Sequence, residues 1–101
     1  MDTLKLNQIN QDLLDIDAKD IKYYNFTAIH PLYDFAVIAT ASERQAMALV
    51  SRLKQYPEFK SADSGSGWTL IAMESVWVHV FTKEEREERG LDNVYAQFEE
   101  V

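Results

Sequence analysis

Cysteine is missing from this chain of 101 residues, which holds only three glycines and two prolines. Without thiols, the chain can form neither a disulfide framework nor a thiolate metal site. Long apolar runs are missing too, since no stretch reaches the length that spans a bilayer. The first residues, from Met1 to Lys5, are charged and lack the apolar core of a signal peptide. We therefore expect a soluble, cytoplasmic protein that does not contact a membrane.

Basic side chains are scarce. Ten lysines and arginines stand against 17 aspartates and glutamates, which gives a net charge of −7. Nucleic-acid binding needs Lys and Arg to displace counterions from phosphates, so this balance argues against direct binding of RNA or DNA. An acidic surface can instead steer a basic protein partner toward it. The alternative interpretation is that the charge only keeps the protein soluble.

The chain alternates between helical and strand periodicity. A chain of this length is one domain, which we place over residues 1–101. The order of elements predicts an α/β fold: a single layered domain in which helices flank a mixed β-sheet. We predict a helix over residues 4–18, strands over 20–26 and 35–39, a helix from Ser42 toward Pro57, a mobile polar loop over 61–67, a hairpin over 67–81, and two short helices after Thr82 separated by Gly90.

Local signals support several of these elements. Ser42 and Gln45 have the spacing of a capping box, and Thr82 with Glu85 repeats it. Residues 35–39 are almost all apolar, which predicts a central strand covered on both faces. The predicted apolar stripes are Leu6, Ile9, Leu13 and Ile16 in the first helix and Ala46, Leu49, Val50 and Leu53 in the second. The last short helix is predicted to hold Leu91, Val94, Tyr95 and Phe98.

The predicted hairpin carries the most informative pattern. Side chains alternate across a strand, so its second run presents two different faces. One face is formed by Val76, Val78 and Val80, which suit a buried layer, and the other by Trp77, His79 and Phe81. An aromatic stripe of this kind either covers a second core layer or forms a contact surface.

Residues that could catalyse a reaction are sparse. His30 and His79 have no sequence-near partner at metal-ligand spacing, and neither a nucleophile elbow nor a P-loop is present. His30 lies in a connection, and for His79 we favour packing or hydrogen bonding within the sheet. Asp15 and Asp17 have the form of a metal-binding carboxylate pair, but residues two apart on a helix diverge. We therefore predict that the protein is not an enzyme and has no catalytic residue, metal or cofactor.

From Asp34 onward the chain resembles the ribosomal silencing factor family, RsfS, also called iojap-like proteins. Residues 34–41 match an aspartate-aromatic strand motif, and residues 42–45 match the helix opening that follows it. Residues 68–71 and 76–81 match the tryptophan-led hairpin. Departures at the hairpin turn and in the last helix indicate a diverged member. The further matches are Asp20, Ile21, Arg86, Leu91, Asp92, Val94 and Tyr95.

The resemblance implies a role without catalysis. Such proteins bind the fourteenth protein of the large ribosomal subunit, a basic partner on the face that meets the small subunit. They thereby block subunit joining and repress translation when nutrients are short, and a part in large-subunit biogenesis is also implied. The implied fold is similar to that of nucleotidyltransferases. Whether the protein forms a homodimer stays open.

We predict two groups of site residues. Trp68, Trp77, Asp63 and Glu74 form the partner contact, with Asp63 and Glu74 lying near Trp68; the alternative for Trp68 is a core position at the end of the sheet. The second group is structural or belongs to the family motif, and its members Asp34, Ser42, Arg44 and His79 are mainly structural or support the contact surface from behind. It contains Asp34, Ser42, Arg44, Gln45, His79, Arg86, Leu91, Asp92 and Tyr95.

Two other functions remain as alternatives. One is a nucleotide-binding or nucleotidyltransferase-like enzyme on the same fold, which requires paired carboxylates projecting from sheet strands. The other is a regulatory interaction module with a non-ribosomal partner, which the divergence of the chain permits.

Overall fold

The structure, a computed structural model, describes residues 3–27, 31 and 33–100. His30 lies outside these residues. The described part forms four helices and six strands. In chain order they are α1 (Thr3–Asp15), β1 (Lys19–Asn25), β2 (Phe35–Thr40), α2 (Glu43–Leu53), β3 (Phe59–Gly65), β4 (Trp68–Met73), β5 (Val76–Phe81), α3 (Lys83–Arg89), α4 (Leu91–Tyr95) and β6 (Glu99–Glu100).

The strands form one sheet in the order β3-β4-β5-β2-β1-β6. The central pair, β2 and β5, is parallel, with Val37 opposite Val78 and Ile38 opposite His79. The flanking pairs are antiparallel. The predicted mixed sheet flanked by helices is confirmed, and β2 is buried along its first five residues, as its apolar sequence predicts.

One face of the sheet packs against α1 and α2. The predicted stripes of both helices are buried there, together with the three valines of β5. A buried acidic residue ties the two helices to each other. Asp12 of α1 accepts a hydrogen bond from the Tyr56 hydroxyl at 2.7 Å and lies 3.4 Å from the Arg52 guanidinium at the end of α2. Because both groups satisfy this carboxylate, it is tolerated in an otherwise apolar layer.

The opposite face carries a second, smaller core, in which α4 and the residues after it cover only part of the sheet. Its buried members are Tyr24, Phe26, Ala36, Ile38, Phe81 and Tyr95, and Trp68, Trp77, Leu91 and Phe98 pack against it half-buried. The two faces of β5 therefore belong to different cores: its valines lie in the first, and Trp77 and Phe81 pack in the second.

Helix ends follow local rules. The predicted capping box of α2 is present, with the Ser42 hydroxyl accepting from the Gln45 amide and the Gln45 side chain accepting from the Ser42 amide. The first helix ends earlier than predicted because Asp17 adopts a left-handed φ of 62°. The Ala18 amide then bonds to the Leu13 carbonyl at 3.0 Å, which closes a Schellman motif.

Two further sequence predictions about the fold are wrong. Residues 61–67 are not a mobile loop, because residues through Gly65 form strand β3, paired antiparallel with β4. Their polar composition suits an edge strand whose side chains are mostly exposed. Phe98 lies beyond the last helix, which ends at Tyr95, and Val94 lies in that helix, 54% exposed.

Gly67 lies in the tight turn between β3 and β4, and we predict that replacing it lowers the stability of the fold. Its φ is +84°, and a Cβ there would lie 2.8 Å from Oγ1 of Thr82, the hydroxyl that caps α3. Left-handed backbone costs a non-glycine residue about 1–2 kcal/mol. We expect Gly67→Ala to lower the free energy of unfolding by about 2 kcal/mol in urea denaturation.

Gly65→Ala is the matched control, since a Cβ at Gly65 meets no atom within 4 Å. This variant should lie within about 0.5 kcal/mol of wild type. Equal losses in the two variants would contradict the assignment of strain to Gly67.

Candidate functional site: an open aromatic sheet face

The second face of the sheet is open on the side of β4 and β3. Cross-strand pairs place Leu70 beside His79 and Ala72 beside Trp77. Trp68, Leu70, Ala72 and Trp77 are half-buried, although they lie on a sheet face. We refer to these four residues as the aromatic face. Two tryptophans with aliphatic residues between them give the composition that protein interfaces favour at their centre.

Trp68 is fixed at one end of this face from three sides. Its indole Nε1 donates a hydrogen bond to Nδ1 of His79 at 3.2 Å. The Phe81 ring lies 5.0 Å from the Trp68 ring, centroid to centroid. The Arg89 guanidinium carbon lies 5.4 Å from the same ring, in cation–π range. Trp68 therefore packs on the second core but is only half-buried, and its role in a partner contact stays a prediction.

His79 lies below the aromatic face, 4% exposed. Its Nε2 is 3.1 Å from the Tyr95 hydroxyl, so both ring nitrogens have partners. Burial lowers the pKa of His79 from 6.5 to about 4, and burial raises the pKa of Tyr95 to about 12. The imidazole is therefore neutral near pH 7, and the structure places it in the sheet, as the sequence favoured.

Trp77 lies at the other end of the aromatic face. It stands opposite Ala72, and its ring packs against Tyr33 at 4.5 Å between centroids. Tyr33 precedes β2 and was not singled out in the sequence. Its contribution depends on the parallel pairing of β2 with β5, a contact between distant segments that no local pattern reveals.

The two predicted acidic contact residues lie apart. Asp63 is opposite Leu70 in the β3–β4 pair and shares with Trp68 a groove of about 440 Å³. Glu74 is in the β4–β5 turn, six residues from Trp68 along an extended strand, which is about 20 Å. The prediction that both acids lie near Trp68 is thus wrong for Glu74, because the hairpin runs away from Trp68 before it turns.

The predicted supporting residues have separate positions. Ser42 and Gln45 form the α2 cap, far along the chain from the aromatic face, and Arg44 is exposed on the first turn of α2. Asp34 leads into β2: its amide donates to the Ser75 carbonyl at 2.8 Å. Ser42, Gln45 and Asp34 hold the helix and the sheet in place, and the contacts of the described residues do not bring any of these four residues into the aromatic face.

Arg86 connects four parts of the chain. Its guanidinium binds both carboxylate oxygens of Asp92, at 2.8 and 3.0 Å, and donates to the Asp20 carbonyl and the Thr40 hydroxyl. The hydrogen bond from Arg86 holds the pKa of Asp92 below its ordinary value. This bidentate contact fixes the start of α4, whose Leu91 and Tyr95 pack on the second core.

The two carboxylates of the sequence pair have different surroundings. Asp15, the last residue of α1, accepts from Arg52 at 3.3 Å, while Asp17 lies in the turn beyond it. No group of three or more metal-ligating side chains occurs within the residues that the structure describes. In the same residues, no helix has the length and apolar character needed to cross a membrane.

The geometry thus defines an α/β domain with helices packed on one sheet face and a partly open aromatic surface on the other, the form of a binding module. Comparison with known proteins identifies its family. The model for the family described as "Ribosomal silencing factor during starvation" matches residues 3–101. The chain belongs to this family, RsfS, and therefore has the general role of a ribosome-associated regulator of translation.

Two solved structures share the fold. A protein from Bacillus halodurans is 28% identical, with a TM-score of 0.82 over 99% of this chain and 98% of that one. A protein from Chromobacterium violaceum is 22% identical, with a TM-score of 0.80 over 95% of this chain and 88% of that one. A comparison with curated proteins gives no match.

The buried histidine makes folding depend on pH. Because the pKa of His79 is 6.5 when unfolded and about 4 when folded, the unfolded chain binds this proton more readily. The free energy of unfolding is therefore highest above pH 6.5 and falls as the pH drops toward 4. Between pH 7 and 5 we expect His79 to account for a loss of about 2 kcal/mol, measured by urea denaturation.

His79→Asn removes the titrating ring and should flatten this dependence. If the wild type and His79→Asn lose stability equally between pH 7 and 5, the buried imidazole is not the cause.

Proposed function

We propose that the protein binds the large ribosomal subunit through its fourteenth protein, blocks subunit joining by steric occlusion and so represses translation during starvation. The site of action is the cytoplasm, and large-subunit biogenesis is a second role of the same contact. Membership of the silencing-factor family supports the ribosomal partner. The aromatic face is the surface that we assign to the contact.

The observation that carries this assignment is the half-buried tryptophan pair on an open sheet face. Trp68 and Trp77 lie on one side of β4 and β5, with Leu70 and Ala72 between them. The opposite sheet face is filled by α1 and α2. A rigid strand-borne surface needs little reordering on binding, so more of its contact energy appears as affinity.

The charge of the chain suits a basic partner. The net charge is −7, and Asp63 stands at the rim of the aromatic face beside the Trp68 groove. Charges at the rim of an interface mainly affect the rate of association and its salt dependence. Asp63 is therefore the better placed of the two predicted acids, and Glu74 extends the acidic field to the other end of the hairpin.

One observation favours the alternative function, a nucleotide-binding enzyme. A crevice of about 580 Å³ lies beyond the carboxyl ends of β2 and β5, and Lys19 and Lys83 line it. In open α/β sheets, ligands bind in such crevices. However, the hydroxyls of Ser42 and Thr82 already accept from helix amides there, and Asp17 and Glu84 oppose a phosphate. Calorimetric titration with magnesium and nucleoside triphosphates separates the two functions.

Truncation of the tryptophans tests the contact. We expect Trp68→Ala and Trp77→Ala each to weaken binding to purified large subunits by about 2 kcal/mol, which is roughly 30-fold, because buried interface tryptophans dominate binding energy. Cosedimentation measures the affinity, and circular dichroism checks that each variant is folded. Wild type should bind free large subunits and not assembled ribosomes.

Met47→Ala is the matched control, because Met47 is 53% exposed on α2, away from the aromatic face. It should bind as wild type does. Folded Trp68→Ala and Trp77→Ala variants with unchanged affinity, or a loss confined to Met47→Ala, would place the contact elsewhere.

Charge reversal tests electrostatic steering. We expect Asp63→Lys to associate several-fold more slowly with large subunits at low salt and to approach the wild-type rate at high salt, where charges are screened. Glu74→Lys should show the same trend with a smaller amplitude, since Glu74 is farther from Trp68. Stopped-flow association gives the rates. Wild-type rates for both variants at low salt would exclude steering by this surface.

A further inference from the structure

A hydrogen-bonded chain runs from the aromatic face into the second core. Trp68 donates from Nε1 to Nδ1 of His79 at 3.2 Å, and Nε2 of His79 is 3.1 Å from the Tyr95 hydroxyl. His79 is 4% exposed and Tyr95 is 7% exposed. One buried ring therefore connects an interface tryptophan to helix α4.

The donors in this chain follow from its first member. An indole Nε1 can only donate, so Nδ1 of His79 must be the accepting nitrogen of a neutral ring. The ring proton is then on Nε2 and is donated to the Tyr95 oxygen. Protonation of Nδ1 would put two donors face to face and break the bond to Trp68.

The surroundings of His79 favour this neutral form. Leu70 of β4 and Ile38 of β2 stand directly opposite it and carry no charge. The titratable group facing it from α4 is Tyr95, with Tyr24 of β1 behind Tyr95 at 5.6 Å between rings.

A cation of α3 contacts Trp68, the hydrogen-bond partner of His79. Arg89 lies over the indole of Trp68, and its Nε donates to Glu85 at 2.5 Å. Its charge is thus shared between a carboxylate and the indole ring.

We propose that His79 is a positioning residue for the partner surface: its Nδ1 holds the Trp68 indole in the orientation that the partner contacts, and its Nε2 fixes that orientation relative to α4 through Tyr95. The affinity part of this proposal depends on the proposed function. Without Nδ1 of His79 as acceptor, the indole N–H of Trp68 would lose its hydrogen-bond partner. The contacts of Trp68 with Phe81 and Arg89 would remain.

Two substitutions at one position separate positioning from packing. In His79→Asn the amide oxygen can occupy the place of Nδ1 and accept from Trp68. In His79→Gln the longer side chain carries its amide toward the place of Nε2 and Tyr95, and the acceptor for Trp68 is lost. Neither variant titrates, so differences between them do not arise from protonation.

The primary readout is the Trp68 indole proton. The ¹⁵N-labelled protein has two indole resonances, which Trp77→Phe assigns, and hydrogen exchange of the Trp68 N–H is then measured in chains that keep both tryptophans. We expect protection in wild type and His79→Asn, and exchange at least about tenfold faster in His79→Gln. Large-subunit affinity should fall roughly 3- to 10-fold in His79→Gln, because the indole must be ordered on binding, and should recover in His79→Asn.

The outcomes distinguish the two claims. The positioning role is overturned if His79→Asn and His79→Gln protect the Trp68 indole N–H equally. It is also overturned if both variants bind large subunits with equal affinity while wild type binds them. Either result leaves the ribosomal function intact. Wild type that shows a protected indole but does not bind large subunits would overturn the proposed function and, with it, the affinity part of the proposal. If His79→Gln does not fold, hydrogen exchange of the wild-type protein is the test. Rapid exchange of the Trp68 indole N–H there would contradict its hydrogen bond to His79 and overturn the proposal.

Discussion

The parallel pairing of β2 with β5 is the contact on which the rest of the structure depends. It joins segments about 40 residues apart and sets Val78 against Val37 and His79 against Ile38. A shift of one residue would turn every side chain of β5 to the opposite face. The valines would then face the small second core, and the tryptophan and histidine would face α1 and α2. The register therefore determines both which face is filled and which face remains open.

The partial cover of the second face results from the short C-terminal helix. Arg86 anchors its start through Asp92, and Tyr95 and Phe98 pack over β1 and β2. A helix of five residues cannot extend across β4 and β3 as well. Trp68, Leu70, Ala72 and Trp77 therefore stay half-buried. In a ribosome-associated silencing factor, a surface that is both rigid and incompletely covered is suited to a protein partner.

Sequence patterns predicted what is local and missed what is distant. The Ser42 cap, the stripes of α1 and α2 and the two faces of β5 follow from spacing alone, and the structure confirms them. The polar composition of residues 61–67 predicts a loop, and the edge strand that they mostly form is missed because its side chains are mostly exposed and show no apolar alternation. The contact of Arg89 with Trp68 and that of Tyr33 with Trp77 join distant segments, so no local pattern predicts them. His79 and Tyr95 were in the predicted structural group, but the hydrogen bonds that link Trp68, His79 and Tyr95 were not predicted. The prediction that Glu74 lies near Trp68 was wrong because the two residues are at opposite ends of β4.

Site-directed photo-cross-linking tests most directly whether the aromatic face is the ribosomal contact. p-Benzoylphenylalanine would replace Leu70, at the centre of that face, or Met47, which is exposed on α2. After irradiation with purified large subunits, mass spectrometry identifies the attached protein. We predict a cross-link from position 70 to the fourteenth protein of the large subunit and none from position 47. A cross-link from position 47 alone would contradict the assignment of the partner contact to the aromatic face.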